Sequence, residues 1–111
     1  MVKKRLEFLG EANGSLVYDD FAHHPTSIKE TIKSLKLMHP RKNILAIFEP
    51  RSNTSSLNIH FEALKNALSK ADEVVITRPH RFENIDPKKR LKYKLIAKEL
   101  SKNGIPCTHT N

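Results

Sequence analysis

The sequence predicts an α/β domain built on a mostly parallel sheet, with an antiparallel hairpin strand at one side. Two apolar runs, Ile44–Phe48 and Val74–Thr77, are long enough for strands buried on both faces. Each is followed in sequence by an apolar stripe at helical spacing, and strands that alternate with helices imply right-handed crossovers between parallel strands. At 111 residues the chain holds one domain with a modest core, 1–111.

The elements follow in order. Arg5 to Leu9 and Leu16 to Asp20 are short extended runs, and Asn13-Gly14 between them tolerates the positive φ of a tight hairpin. Pro25 suits a first helical turn. Ser27 and Glu30 have capping-box spacing, and Ile28, Ile32 and Leu35 recur on one face of a helix ending near His39-Pro40. Ile44–Phe48, stopped by Glu49-Pro50, is expected at the sheet centre. Leu57, Phe61, Leu64, Leu68 and Ala71 make the stripe of a second helix. Asp86-Pro87 supplies a cap and a first-turn proline for a third, with Leu91, Leu95, Ile96 and Leu100 inward and Gly104 at its end. Pro106 donates no ladder hydrogen bond, which assigns the run Ile105 to Thr108 to a sheet edge or a frayed terminus.

A hydrophobic fraction of 38% beside 29% charged residues describes a globular protein. Cys107 is the only cysteine, which excludes an internal disulfide and paired-cysteine zinc spacing and fits a reducing, cytoplasmic setting. The basic start, Met1 to Arg5, is followed by no apolar run of signal-peptide or membrane length. The net charge of +8 is concentrated: Arg78 to Lys102 holds nine Lys/Arg against Glu83, Asp86 and Glu99. Such a segment is either a solvated helix face or an electrostatic footprint for nucleic acid.

In open α/β sheets the ligand site lies beyond the carboxyl ends of the strands. The segments there are Asp19 to Thr26, Glu49 to Thr54 and Arg78 to Arg81. They gather Asp20, His23, His24, Arg51, Asn53, Arg78, His80 and Arg81. Most are cations or hydrogen-bond donors, suited to phosphates or carboxylates beside a helix amino end. Asp19-Asp20 either meets hydroxyls or a metal, or accepts helix amides. His23-His24 is more economical as a capping or substrate-contacting pair than as metal ligands, because adjacent side chains diverge and no third ligand is near. Arg51, directly after a strand and a proline, either clamps a carboxylate with two prongs or is a surface arginine. Ser52, Asn53 and Thr54, with Ser55 and Ser56, bind ligand or simply turn and cap. No nucleophile has a partner placed to activate it, and no P-loop string is present. No catalytic residue and no metal ligand set is therefore assigned within the chain.

Three strings carry a resemblance. Lys3-Lys4-Arg5-Leu6-Glu7, Val17-Tyr18-Asp19-Asp20-Phe21-Ala22-His23-His24-Pro25-Thr26 and Phe48-Glu49-Pro50-Arg51-Ser52-Asn53-Thr54 resemble, in order and spacing, the third domain of the Mur ligases. The second is shared with the UDP-N-acetylmuramate–alanine ligases, whereas the third is more similar to the murein peptide ligases. The likeness spans roughly Val2 to Pro79 and fades beyond. Ser55-Ser56-Leu57-Asn58 departs from the family pattern, as does the absence of a Ser-Asn-Gly segment after Thr108, which reads either as a domain truncated at its end or as a diverged tail.

The resemblance implies a Rossmann-like three-layer domain belonging to a larger ATP-dependent ligase. In that enzyme, ATP and Mg2+ are bound mainly by a central domain, and the carboxylate of UDP-N-acetylmuramate is phosphorylated. The amine of L-alanyl-γ-D-glutamyl-meso-diaminopimelate then attacks the acyl phosphate. This domain closes as a lid, inactive alone, with Asp20 at the ATP ribose and His23, His24, Arg51, Ser52, Asn53 and Thr54 towards the peptide. The alternatives are the corresponding domain of a UDP-N-acetylmuramate–L-alanine ligase and a small basic nucleic-acid-binding module. The first alternative shares the setting and differs in its amine substrate. The second would use Lys88, Lys89, Arg90, Lys92, Lys94 and Lys98.

Overall fold

A computed structural model describes residues 6–12, 15–20, 24–50 and 57–110, the first two stretches as backbone alone. Strands β1 (Leu6–Ala12) and β2 (Ser15–Asp20) pair antiparallel, with Ala12 opposite Ser15 and a register shift between Phe8 and Gly10. That register leaves a two-residue connection, as the Asn13-Gly14 string requires, although those two residues lie outside the described ones. The hairpin forms a two-stranded sheet of its own and not the side of the parallel sheet.

Helix α1 (Pro25–Met38) starts with proline at its first position and buries Ile28 and Ile32. The expected Ser27–Glu30 box is not the cap. His24 is, its Nδ1 accepting from the Thr26 amide at 3.3 Å, because Pro25 fixes the helical φ two residues before Ser27. Strand β3 (Leu45–Phe48) leads through a short 3-10 turn, Asn58–His60, into α2 (Phe61–Leu68), whose inward residues are Leu64, Ala67 and Leu68. Strand β4 (Glu73–Ile76), helix α3 (Tyr93–Lys102) and strand β5 (Cys107–His109) complete the chain.

The larger sheet is parallel, in the order β3-β4-β5. The expected central position of β3 is thus corrected: β4 is central and β3 is an edge among the described residues. Strand order advances in one direction, so right-handed crossovers put α2 and α3 on the same face, and α1 packs on α2. The core follows from that placement. Ala46, Phe48, Val74 and Ile76 face the helices, with Val74 and Ile76 fully buried. On the opposite face Leu45 is 52% and Ile47 69% exposed. The α/β class holds. The described residues form two layers, and the third layer expected from the sequence is not among them.

The third helix starts later than its sequence signals. Asp86 Oδ1 accepts from Lys88 N and its carbonyl from Lys89 N, so Asp86-Pro87 caps a turn, and α3 begins only at Tyr93. The inward stripe is then Tyr93, Ile96, Ala97 and Leu100, at spacings of three, one and three. Leu91 is buried just ahead of the helix, while Leu95 falls off the stripe and is 37% exposed. Gly104, at φ 91°, takes the left-handed conformation that stops the helix, and Ile105 N donates back to Leu100 O. Pro106, just before β5, donates nothing but accepts from Val74 N at 2.9 Å through its carbonyl, and β5 is an edge strand among the described residues.

Candidate ligand site at the carboxyl edge of the sheet

Hydrogen bonds beyond the strand ends knit this edge together. Thr77 N donates to Phe48 O at 2.9 Å, His80 N to Pro50 O at 2.8 Å and Arg78 N to Thr110 O at 3.1 Å. The chain leaving β4 is therefore clamped between the exits of β3 and β5. Pro50 is fully buried at this point, which holds the exit rigidly because its φ is fixed. Arg51 follows Pro50 directly, so the backbone of position 50 and that of His80 are neighbours, as the strand-end argument expects. Thr77 Oγ1 is buried here with no hydrogen-bond partner among the described residues.

The remaining sequence candidates divide by what is described. Arg51, Ser52, Asn53 and Thr54 lie outside the described residues, as does His23. Asp20 ends β2 and is described as backbone only, in the separate hairpin sheet, so its convergence on the same edge is not part of the observed geometry. His24 is exposed at the start of α1 with its Nδ1 engaged as the cap. His80 and Arg81 are exposed. Arg81 has φ 54°, the one non-glycine in left-handed backbone among the described residues, costing about 1 kcal/mol. Among the described residues no group of His, Cys, Asp or Glu could hold a metal ion. The sequence carries no phosphate-cradling glycine loop of the P-loop kind.

A second feature lies next to this edge, formed by Arg78 of the strand-end group and by residues of the basic segment that the sequence assigns either to a solvated face or to a nucleic-acid footprint. The Arg78 and Arg90 guanidiniums sit 5.0 and 4.6 Å from the Phe82 ring centroid. Phe82 meets Tyr93 edge-on at 5.7 Å, and Tyr93 meets His109 edge-on at 6.1 Å. Arg78 pairs with the Glu83 carboxylate at 2.5 Å, whereas Arg90 donates to the Ile85 carbonyl at 3.0 Å and to the Glu83 carbonyl at 3.4 Å. The available signal was the placing of Phe82 and Tyr93 among arginines.

Fold and edge together define a small parallel α/β domain that offers cationic and hydrogen-bonding groups at its strand ends. The chain belongs to the Mur ligase family: the model for "Mur ligase, glutamate ligase domain" matches residues 4–109. It is a Mur ligase C-terminal domain. Among its relatives, the UDP-N-acetylmuramate–L-alanyl-gamma-D-glutamyl-meso-2,6-diaminoheptandioate ligase of Escherichia coli (strain K12) is 47% identical over 78 residues, covering 69% of this chain and 17% of the relative. The UDP-N-acetylmuramate–L-alanine ligase of Caldicellulosiruptor bescii is 39% identical over 108 residues, 96% of this chain and 23% of the relative. A murein peptide ligase structure from Psychrobacter arcticus superposes with TM-score 0.71 at 31% identity, covering 98% of this chain and 22% of that one. The chain thus spans about a fifth of the length of the relatives it matches.

Proposed function

We propose that this domain serves an ATP-dependent ligase that joins L-alanyl-γ-D-glutamyl-meso-diaminopimelate to UDP-N-acetylmuramate, acting as its closing lid and holding the incoming peptide amine. The observation that carries the reading is the clamped carboxyl edge, where the exit of β3 that leads into Arg51 is hydrogen-bonded to His80. A rigid strand exit suits a residue whose task is to position a substrate, since rate gained by orientation is lost with small displacements. Arg51, Ser52, Asn53 and Thr54 would meet the peptide carboxylates together with His23 and His24, and Asp20 would meet the nucleotide ribose. The family relationship to enzymes named for this ligation supports the substrate assignment.

The chain's own contribution is binding, alignment and exclusion of water when the lid closes. Apart from the Asp20 contact to the ribose, nucleotide and metal would be held mainly by the enzyme's central domain, and no catalytic base is assigned within this one. The working compartment is the cytoplasm. A second reading is favoured by the longer alignment to alanine ligases, which reaches 96% of the chain. Both are tested by one assay. The complete enzyme that carries this domain is supplied with ATP, UDP-N-acetylmuramate and either the tripeptide or L-alanine, and amide product is measured. Product from the tripeptide alone is expected, with Arg51→Lys raising KM for it. Product from alanine alone would replace this reading with the second.

A further inference from the structure

We propose that the depression lined by Arg78, Phe82, Arg90, Tyr93, Lys94 and Leu95 binds a small organic dianion, whose charges are carboxylates or phosphate and whose apolar part lies against the rings. This site shares Arg78 with the strand-end segments but none of the residues assigned above to peptide or ribose, and it stands whether or not the ligase reading does.

Its shape and size come first. The depression has a volume of ≈ 820 Å³ and opens beside the carboxyl edge of the sheet, where Arg78 is anchored by its amide to Thr110 O. That is within the range of small-molecule sites, about 300–1,000 Å³. Its charge comes second. Arg78, Arg90, Lys92 and Lys94 all line it, no carboxylate is among its described lining residues, and Glu83 is paired with Arg78. Arg90 spends its described hydrogen bonds on backbone carbonyls, which orient a guanidinium without neutralising it. Both guanidiniums lie within 5.0 Å of one ring centroid, and because the Glu83 carboxylate offsets only Arg78, the lining keeps a net positive charge that a dianion would offset.

Preorganisation comes third. The Arg90 backbone bridges to Leu57, Asn58 N donates to Lys89 O, and Asn58 Oδ1 accepts from Lys92 N. The loop that carries the cations is thereby fixed to the entry of α2 before any ligand arrives, which lowers the ordering cost of binding. Phe82, Tyr93, Leu91 and Leu95 supply an apolar wall, so a ligand with a hydrocarbon or aromatic stem gains more than a bare inorganic ion. Concavity with a hydrophobic wall favours such a ligand over a nucleic-acid backbone, which needs an extended cationic track.

The experiment is a titration of the 111-residue chain, at constant ionic strength, with glutarate and separately with phenyl phosphate. The arginine Nε–H and Tyr93 ring signals are followed by NMR. Saturable shifts at Arg78, Arg90 and Tyr93 below about 10 mM are expected. The tighter of the two probes tells whether the natural charges are carboxylates or phosphate. Arg90→Gln should weaken binding about tenfold or more. Because Arg90 also pins its loop, Lys94→Gln provides a variant with no such duty, and a several-fold loss is expected there. Lys33→Gln, on α1, should bind as the parent does. Shifts that fail to saturate with either probe, or that weaken equally in all three variants, would overturn the proposal. So would an oligonucleotide that occupies the same residues more tightly than either probe.

Discussion

His24 carries two duties that a single substitution can separate. Its Nδ1 caps α1, while its exposed ring is a candidate peptide contact. His24→Ala should cost up to about 1 kcal/mol of stability, whereas His24→Asn keeps a cap and should cost less than about 0.5 kcal/mol. Denaturant titration reads both, and a ligation defect shared by the two variants would assign the ring to substrate. Lys65 illustrates a different residue-level effect. Its ammonium bonds Glu99 at 2.6 Å and Glu62 at 3.1 Å, and the Glu99 bond, then the Glu62 bond, hold its pKa above the ordinary value of 10.5. A lysine raised in the fold stabilises fully below its unfolded pKa, and the contribution is lost as pH rises through the folded value. Lys65→Met should therefore remove part of the stability at neutral pH and flatten its decline above pH 10.5, which thermal melts across alkaline pH would show. Burial pushes the Cys107 thiol up in the same sense, so its alkylation at pH 8 should run more slowly than that of an unfolded control.

At the scale of elements, the helices are held by one apolar face each and the sheet by its central strand. Leu68 and Ile96 are fully buried, on α2 and α3, with β4 between their crossovers. Leu68→Ala or Ile96→Ala should each cost about 2–5 kcal/mol, because a cavity remains where the side chain was. Leu95→Ala, a neighbour on the exposed side of α3, should cost well under about 1 kcal/mol. Urea unfolding of the three variants checks the contrast, and an equal cost at positions 95 and 96 would contradict the described register of α3. Helix α2 was legible in the sequence from Phe61, Leu64 and Leu68, but it is shorter than the stripe, since Leu57 bridges to Arg90 ahead of it and Ala71 lies past its end. The start of α3 was not, since Asp86-Pro87 carries the signature of a helix cap and the chain spends it on a turn. Local capping chemistry is the same in both settings, and only the Leu57–Arg90 bridge and the Asn58 contacts select between them.

At the largest scale, the domain has one sheet face, at Leu45 and Ile47, exposed among the described residues, and strand exits joined by hydrogen bonds. If it is a lid, the isolated chain should neither hydrolyse ATP nor form amide product when all substrates are supplied. Ligation by purified 1–111 would remove the lid proposal. No described helix is long and apolar enough to cross a membrane. The rule that ligands bind at strand ends selected Asp19 to Thr26, Glu49 to Thr54 and Arg78 to Arg81, and among the described residues the hydrogen bonds of Thr77 and His80 join the exits of β3 and β4. The guanidinium pair around Phe82 was not legible, because it brings position 78 against position 90 across a loop whose path no local pattern dictates.

By itself the sequence determined the α/β class, the place of each strand to within a few residues, most of each helix, and membership of the Mur ligase family. These depend on period, proline and glycine, and on strings of adjacent residues, all of which are local. Tertiary structure decided the strand order, which makes β4 and not β3 the centre, the separation of the hairpin into its own sheet, and the late start of α3. The physical reason is shared. A buried apolar run reads alike at a sheet's centre and at an edge that helices cover on one face, and only pairing over long sequence distances distinguishes them.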